Sequence, residues 1–351
     1  MTQPAPRSAT ELGESELTAV ATVLERAGVD LDGALSAELI AGGRSNLTFC
    51  LTDGTRRWVL RTPPRTGRTP SAHDIAREHR VTTALAGTGV PVAEAIALCA
   101  DESLIGGPFT IAAFVDGRSI QTQRQLAEVS DPALTDVARS LIEVLAALHR
   151  VDYTHVGLED FGRPDGYAQR QLGRWTAQWD IVGDSRLGKL AAAVRSRLAE
   201  MVPEQRSTSI VHGDFRIDNT LVDLRSPTGP HLTAVVDWEL STIGDPVADV
   251  AMMCGYRSKS FDLVVGEPSA WTSDRLPNVD RLAAAYEAAG GVPLADWDFH
   301  CALAYFKIAV IAAGIAHRNR AGAASGPGFD TAGEAVGPYL SLALDRLRRG
   351  H

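Results

Sequence analysis

The chain has 351 residues, 45% apolar and 22% charged, which excludes a disordered, collagen-like or disulfide-stapled protein. Its net charge of −9 argues against a general nucleic-acid binder, because neutralising phosphates takes a basic footprint. It leaves a local basic pocket for a nucleotide open. Only three basic residues are lysines, Lys189, Lys259 and Lys307, so every long basic side chain before Lys189 is an arginine.

At roughly 100–200 residues per domain, two or three compact units are expected. Residues 1–15 are polar and read as a flexible tail without the apolar core of a secretory signal. Leu17–Ala27 has helical spacing. Ser36–Leu51 reads as two strands around Gly42-Gly43, and Asp53–Thr55 as a turn before a strand at Trp58–Arg61. Pro63–Pro70 is a loop, after which Ser71 or Asp74 caps a helix to about Ala86. Pro91–Cys99 and Pro108–Val115 complete an antiparallel set, and Asp116-Gly117 reads as a hinge.

Beyond the hinge the pattern turns helical. Ser130–Arg150 places Leu141, Val144, Leu145 and Leu148 on one face. Trp175–Trp179 and Leu187–Met201 suggest further helices. A short strand at Ile210-Val211 precedes a hairpin-like pair, Thr220–Asp223 and Leu232–Asp237, and the rest is mostly helical. The apolar run near Ile308–Ala316 is half the length a membrane span needs and reads as a buried helix, so no membrane is expected. The fold class expected is α+β: a flexible tail (1–15), a small antiparallel β-rich lobe (16–115) and a larger helical lobe (116–351). Cys50, Cys99, Cys254 and Cys301 form no CxxC pair, so buried free thiols and a cytoplasmic location are expected rather than structural zinc.

The strongest chemical signal is His212-Gly213-Asp214-Phe215-Arg216-Ile217-Asp218-Asn219, followed by Val235-Val236-Asp237-Trp238-Glu239. Asp214 and Asn219 keep the Asp-to-Asn interval of the kinase catalytic loop, and Asp237 ends an apolar strand as the kinase magnesium Asp does. A carboxylate must orient or deprotonate the attacking hydroxyl. An amide oxygen and a second carboxylate suit Mg²⁺, a hard ion preferring oxygen. Short strands are expected to place all three at one sheet edge. Taken singly, each is a common turn residue.

HGDFRIDN with VVDWELSTIGDPVADVA resembles the aminoglycoside phosphotransferase/choline kinase-like family. GGRSNLTF, WVLRTPP, SAHDIAREHRV and DESLIGGPF resemble its branch associated with acyl-CoA dehydrogenases, over residues 35–320. The resemblance implies a two-lobed protein-kinase-like fold and ATP- and Mg²⁺-dependent phosphoryl transfer to a small-molecule hydroxyl. It implies Asp214 as catalytic base, His212 as loop support, and Asn219 and Asp237 as metal ligands. Asp249 would tie the catalytic loop to the helical lobe. Arg216 would contact the transferring phosphate or pair with a carboxylate.

Gly42, Gly43, Ser45 and Asn46 would lie over the ATP phosphates, since glycines permit close backbone approach. Kinases place a strand lysine on these phosphates, paired with a helix glutamate. This lobe has none. Strand alternation puts Val59 and Arg61 on one face, so Val59 would pack on adenine and Arg61 would reach phosphate, with Glu78 its partner. Ala113 and Val115 in the hinge would contact adenine through backbone groups. Trp175, Trp179, Tyr256, Trp271, Tyr305 and His317 are candidates for the acceptor site, with core packing their plainer role. A hydroxyacyl metabolite is the first acceptor class. The alternatives are an aminoglycoside kinase and a pseudo-kinase partner of an acyl-CoA dehydrogenase, as monomer or homodimer.

Overall fold

The computed structural model describes residues 11–41, 46–64, 74–322 and 327–349. The anticipated glycine turn, Gly42 to Ser45, lies outside the described residues, as do Ser71 and most of the N-terminal tail. The chain groups into two units: Met1–Asp116 with Ala234–Glu239, and Gly117–Thr233 with Leu240–His351. The sequence reading gives all of 116–351 to the second lobe. In the structure, Asp116 and Ala234–Glu239 go with the first unit. The returning segment is held there by the Val235 N–H, which donates to the Pro91 carbonyl at 2.8 Å.

In the first unit, α1 (Glu14–Arg26) carries acids in its first turn and buries Val20 and Leu24, four apart on one face. Next come β1 (Ser36–Ala41), β2 (Leu47–Thr52) and β3 (Arg57–Thr62). Strict alternation of buried and half-buried residues along β2 matches a sheet with one covered face. Asp53 shapes the β2–β3 turn, accepting from the Thr55 and Arg56 N–H groups at 2.9 and 2.7 Å. Asp74 caps α2 (Ile75–Leu85) by accepting from the Arg77 N–H. β4 (Ala95–Cys99) and β5 (Phe109–Ala113) complete an antiparallel sheet of order β1-β2-β3-β5-β4. Phe49, Leu51, Leu60, Phe109 and Ile111 form its core with α1. β4 is shorter than the expected Pro91–Cys99: proline cannot donate to a ladder, and the Pro91 carbonyl is taken by Val235. β5 stops at Ala113, so Val115 lies past the sheet.

The second unit is mainly helical. It opens with α3 (Gln123–Ala127), α4 (Asp131–Arg150), α5 (Tyr167–Val182) and α6 (Gly188–Glu200). Short strands follow: β6 (Ser209–Val211), β7 (Thr220–Asp223), β8 (His231–Val235) and β9 (Thr242–Gly244). Then come α7 (Pro246–Gly255), α8 (Phe261–Val265), α9 (Val279–Ala288), α10 (Trp297–Arg320) and α11 (Ala332–Arg349). α3 is absent from the sequence reading, although Thr122 and Gln125 form a reciprocal capping box at its start. β6 pairs with β9 and β7 with β8 in two separate two-stranded sheets. The expected single sheet edge carrying Asp214, Asn219 and Asp237 is therefore not formed; each follows or precedes a short strand of its own. α10 is long and apolar enough to cross a membrane by length and composition, but most of it is buried inside this unit.

Candidate active site

The second unit holds the residues expected to form the catalytic loop. β6 delivers the chain into His212-Gly213-Asp214. Gly213 has φ +83°, and a Cβ there would meet the Leu240 carbonyl at 2.9 Å, so only glycine fits this bend. The Asp214 N–H donates to His212 Nδ1 at 3.2 Å. Asn219 ends a 3₁₀ turn, Ile217–Asn219, and its Nδ2 donates to the Asp214 carbonyl and to Asp214 Oδ2, both at 2.8 Å. That fixes the amide's orientation and leaves its Oδ1 as an oxygen donor. Arg216 turns to carboxylates: its Nε donates to Asp218 at 2.7 and 2.8 Å, and Nη1 to Asp214 at 3.3 Å. Its guanidinium also lies over Tyr256 and Phe261. Of the two roles anticipated for Arg216, the structure shows the carboxylate pairing. Burial first, and then the Asp214 charge, push the Tyr256 phenol well above its usual range.

Asp249, on α7, anchors this loop. Its carboxylate accepts from the backbone N–H groups of His212 and Gly213 at 2.7 and 2.8 Å. His149 Nε2 lies 3.3 Å from the same carboxylate, and His149 Nδ1 lies 2.8 Å from the Tyr286 hydroxyl. A buried chain thus runs from α9 through α4 to the loop. Hydrogen bonds from His149 and from the His212 N–H, with nearby histidine charge, hold the Asp249 carboxyl below its ordinary value despite burial.

The first unit holds a second cluster. Arg61 Nη1 donates to Glu78 Oε1 at 2.8 Å and Nη2 to Asp237 Oδ1 at 3.1 Å. The predicted Arg61–Glu78 pair is present; the bond to Asp237 is an addition. Arg61 Nε is buried without an acceptor. Burial pushes the Glu78 carboxyl up to about 7; Arg61 opposes this and the Asp237 charge adds to it. Asp237 follows the end of β8 and has φ +65°, a left-handed backbone that aspartate tolerates better than most residues. Val59 is half-buried, two residues from Arg61 on the same strand face. Asn46 is buried, and neither its Oδ1 nor its Nδ2 has a partner. The Ala113 N–H donates to the Glu94 carbonyl, so it is not available to an adenine.

Lys307 is a residue the sequence reading missed. It stands in the apolar α10, its Nζ donates to the Gly213 carbonyl at 3.5 Å, and it lies over the Trp175 ring. Burial lowers its pKa, opposed by the charges of Asp214 and Asp249. A lone lysine inside an apolar helix was the available signal, but nothing local connects it to residues 94 positions earlier. Among the five candidate acceptor aromatics and His317, Trp271 is core: it is fully buried and its Nε1 donates to the Met253 carbonyl.

Among the described residues, no group of three or more His, Cys, Asp or Glu is placed to hold a metal ion. Asn219 Oδ1 in the second unit and the Asp237 carboxylate in the first are each hard oxygen donors of the kind Mg²⁺ takes, an ion usually bound by one or two carboxylates together with substrate phosphates.

The sequence profile of the phosphotransferase enzyme family matches residues 36–305, and the chain belongs to that family. It is 34% identical over 323 residues to acyl-CoA dehydrogenase family member 11 of Gallus gallus, covering 90% of this chain and 41% of that protein. It is 34% identical over 307 residues to acyl-CoA dehydrogenase family member 10 of Mus musculus, covering 86% and 28%. The chain therefore spans about two-fifths or less of these relatives. A crystal structure from Ralstonia eutropha JMP134, provisionally designated an aminoglycoside phosphotransferase, superposes with TM-score 0.80 at 34% identity, covering 95% of this chain and 98% of that one. The GDP complex of aminoglycoside 2′-phosphotransferase-IIIa superposes with TM-score 0.62 at 17% identity, covering 95% and 99%. The AMP-PNP and hygromycin B complex of aminoglycoside phosphotransferase APH(4)-Ia gives 0.58 at 17%, covering 90% and 94%. The fold is α+β and protein-kinase-like.

Proposed function

We propose that this chain transfers the γ-phosphate of ATP to a hydroxyl of a small molecule, with Mg²⁺. The observation that carries the reading is the hold on Asp214: Asn219 fixes its carboxylate and Asp249 fixes the loop beneath it. The acceptor oxygen forms the new P–O bond as the bond to the leaving ADP oxygen breaks. The hydroxyl proton passes to Asp214. Arg61, oriented by Glu78, supplies positive charge for the phosphates, and Asn46 contributes a buried, unpartnered amide. Asn219 Oδ1 and Asp237 would hold Mg²⁺, which neutralises phosphate charge when bound.

The acceptor class proposed is a hydroxylated acyl metabolite. What supports it is the similarity to acyl-CoA dehydrogenase family members, which also motivates an acyl-CoA dehydrogenase as partner. A nucleotide-binding module without transfer is the second reading, favoured by one observation: the Arg61 bond to Asp237 occupies a carboxylate oxygen that the metal would otherwise take. The deciding experiment measures thermal stabilisation by MgATP and ADP release with hydroxyacyl-CoAs, aminoglycosides and amino alcohols. Stabilisation with acceptor-dependent ADP release supports the kinase. Stabilisation without turnover on any acceptor favours the module, and neither response defeats both.

A further inference from the structure

Helices α4 and α9 and the segment Asp274–Asn278 line a half-open cavity of about 850 Å³ in the second unit. It is within the roughly 300–1,000 Å³ typical of small-molecule sites. Its apolar floor is buried: Leu134, Ala138, Ile142, Leu276 and Leu282. None of the catalytic-loop residues lines it.

Arg257 also lines this cavity, and its hydrogen bonding is incomplete. Nη2 donates to the carbonyls of Ser273 and Leu276 at 2.8 and 3.2 Å. Nε and Nη1 are buried with no acceptor. The guanidinium lies 5.6 Å from the Trp271 ring centroid. Removing charged donors from water without acceptors is costly, and native structures rarely leave them so. The neighbouring acids do not meet this need. Glu143 pairs with Arg139 at 3.3 Å and Asp274 with Lys259 at 3.2 Å. Arg275 is likewise taken up, by Asp131 and by the Leu126 and Val129 carbonyls.

We propose that this cavity is a second ligand site, separate from the phosphotransfer residues, for a small amphipathic anion. The apolar body lies on the α4–α9 floor, and the anionic head, a carboxylate or a phosphate, enters beside Arg257, whose side chain turns to bring the now buried Nε and Nη1 to it. The site stands independently of the phosphotransferase reading.

The test is calorimetric titration of the full chain with decanoate and with decyl phosphate, each below its micelle concentration, and with decanol as the uncharged control. Two variants accompany it. Arg257→Met removes the cation, and Ala285→Trp fills the cavity from an exposed helix position. The expected result is saturable one-to-one binding of at least one anion, with decanol weaker by about tenfold or more, as for loss of a charged hydrogen bond. Arg257→Met weakens that binding by about tenfold or more, and Ala285→Trp abolishes it. The proposal is overturned if neither anion saturates, if decanol binds as tightly, or if either variant binds like the wild type.

Discussion

Asn219 directs a single amide nitrogen at Asp214 twice, at 2.8 Å to the side-chain Oδ2 and at 2.8 Å to the backbone carbonyl. Five residues apart in sequence, the two form one rigid unit. The amide can turn in only one way, so its oxygen is committed to another partner.

If that oxygen holds Mg²⁺, Asn219→Ala raises the Mg²⁺ concentration for half-maximal phosphotransfer by about tenfold or more, as loss of one charge-assisted contact implies. A Mg²⁺ titration at fixed ATP checks it. An unchanged requirement, with activity lowered only in amplitude, would leave Asn219 as a brace for Asp214 and no more.

Asp249 accepts from two buried backbone N–H groups, on His212 and Gly213. Asp249→Ala orphans both, at about 1–3 kcal/mol each. The urea midpoint should fall accordingly, and His149 loses its acid partner as well. A midpoint within error of the wild type would mean that the loop is held by other contacts.

The Glu78 carboxyl lies at about 7 in the fold, above its ordinary 4.5. The folded state therefore binds this proton more tightly than the unfolded chain. The stability it confers is complete below about pH 4.5 and is lost as pH rises through about 7. Thermal midpoints should thus fall between pH 5 and 8 more steeply in the wild type than in Glu78→Gln. Parallel profiles would contradict the assignment.

Lys307 buries an ammonium beneath Gly213, at a desolvation cost that a methionine would not bear. Lys307→Met should keep or raise the thermal midpoint while slowing phosphotransfer by about tenfold or more, because a cation near Asp214 is lost. Unchanged turnover would make Lys307 a bystander to the chemistry.

Much of the first unit was legible in the sequence because its signals are local. Alternation marks β2 and β3, Asp53-Gly54 the turn between them, and Asp74 the start of α2. The Arg61–Glu78 pair was also legible, since a missing lysine narrowed the cation to arginine. Asp249 followed from its place after Gly244-Asp245-Pro246. Other features depend on tertiary contacts. The bond from Val235 to Pro91 draws Ala234–Glu239 into the first unit, and no local pattern announces it. Lys307 reaches Gly213 only because α10 packs against α7. The split of the short strands into two sheets has the same origin. α3 is different: the Thr122–Gln125 capping box is a local signal, but five residues are too short to carry an apolar stripe.

The proposed transfer depends most directly on Asp214 taking the acceptor's proton. The decisive measurement is the rate of γ-phosphate transfer from radiolabelled ATP to a hydroxyl acceptor, in wild type and in Asp214→Asn, with folding verified by thermal midpoint. A fall of about 10²–10⁴-fold is predicted, the range for loss of a general base. Transfer at the wild-type rate by folded Asp214→Asn would contradict it.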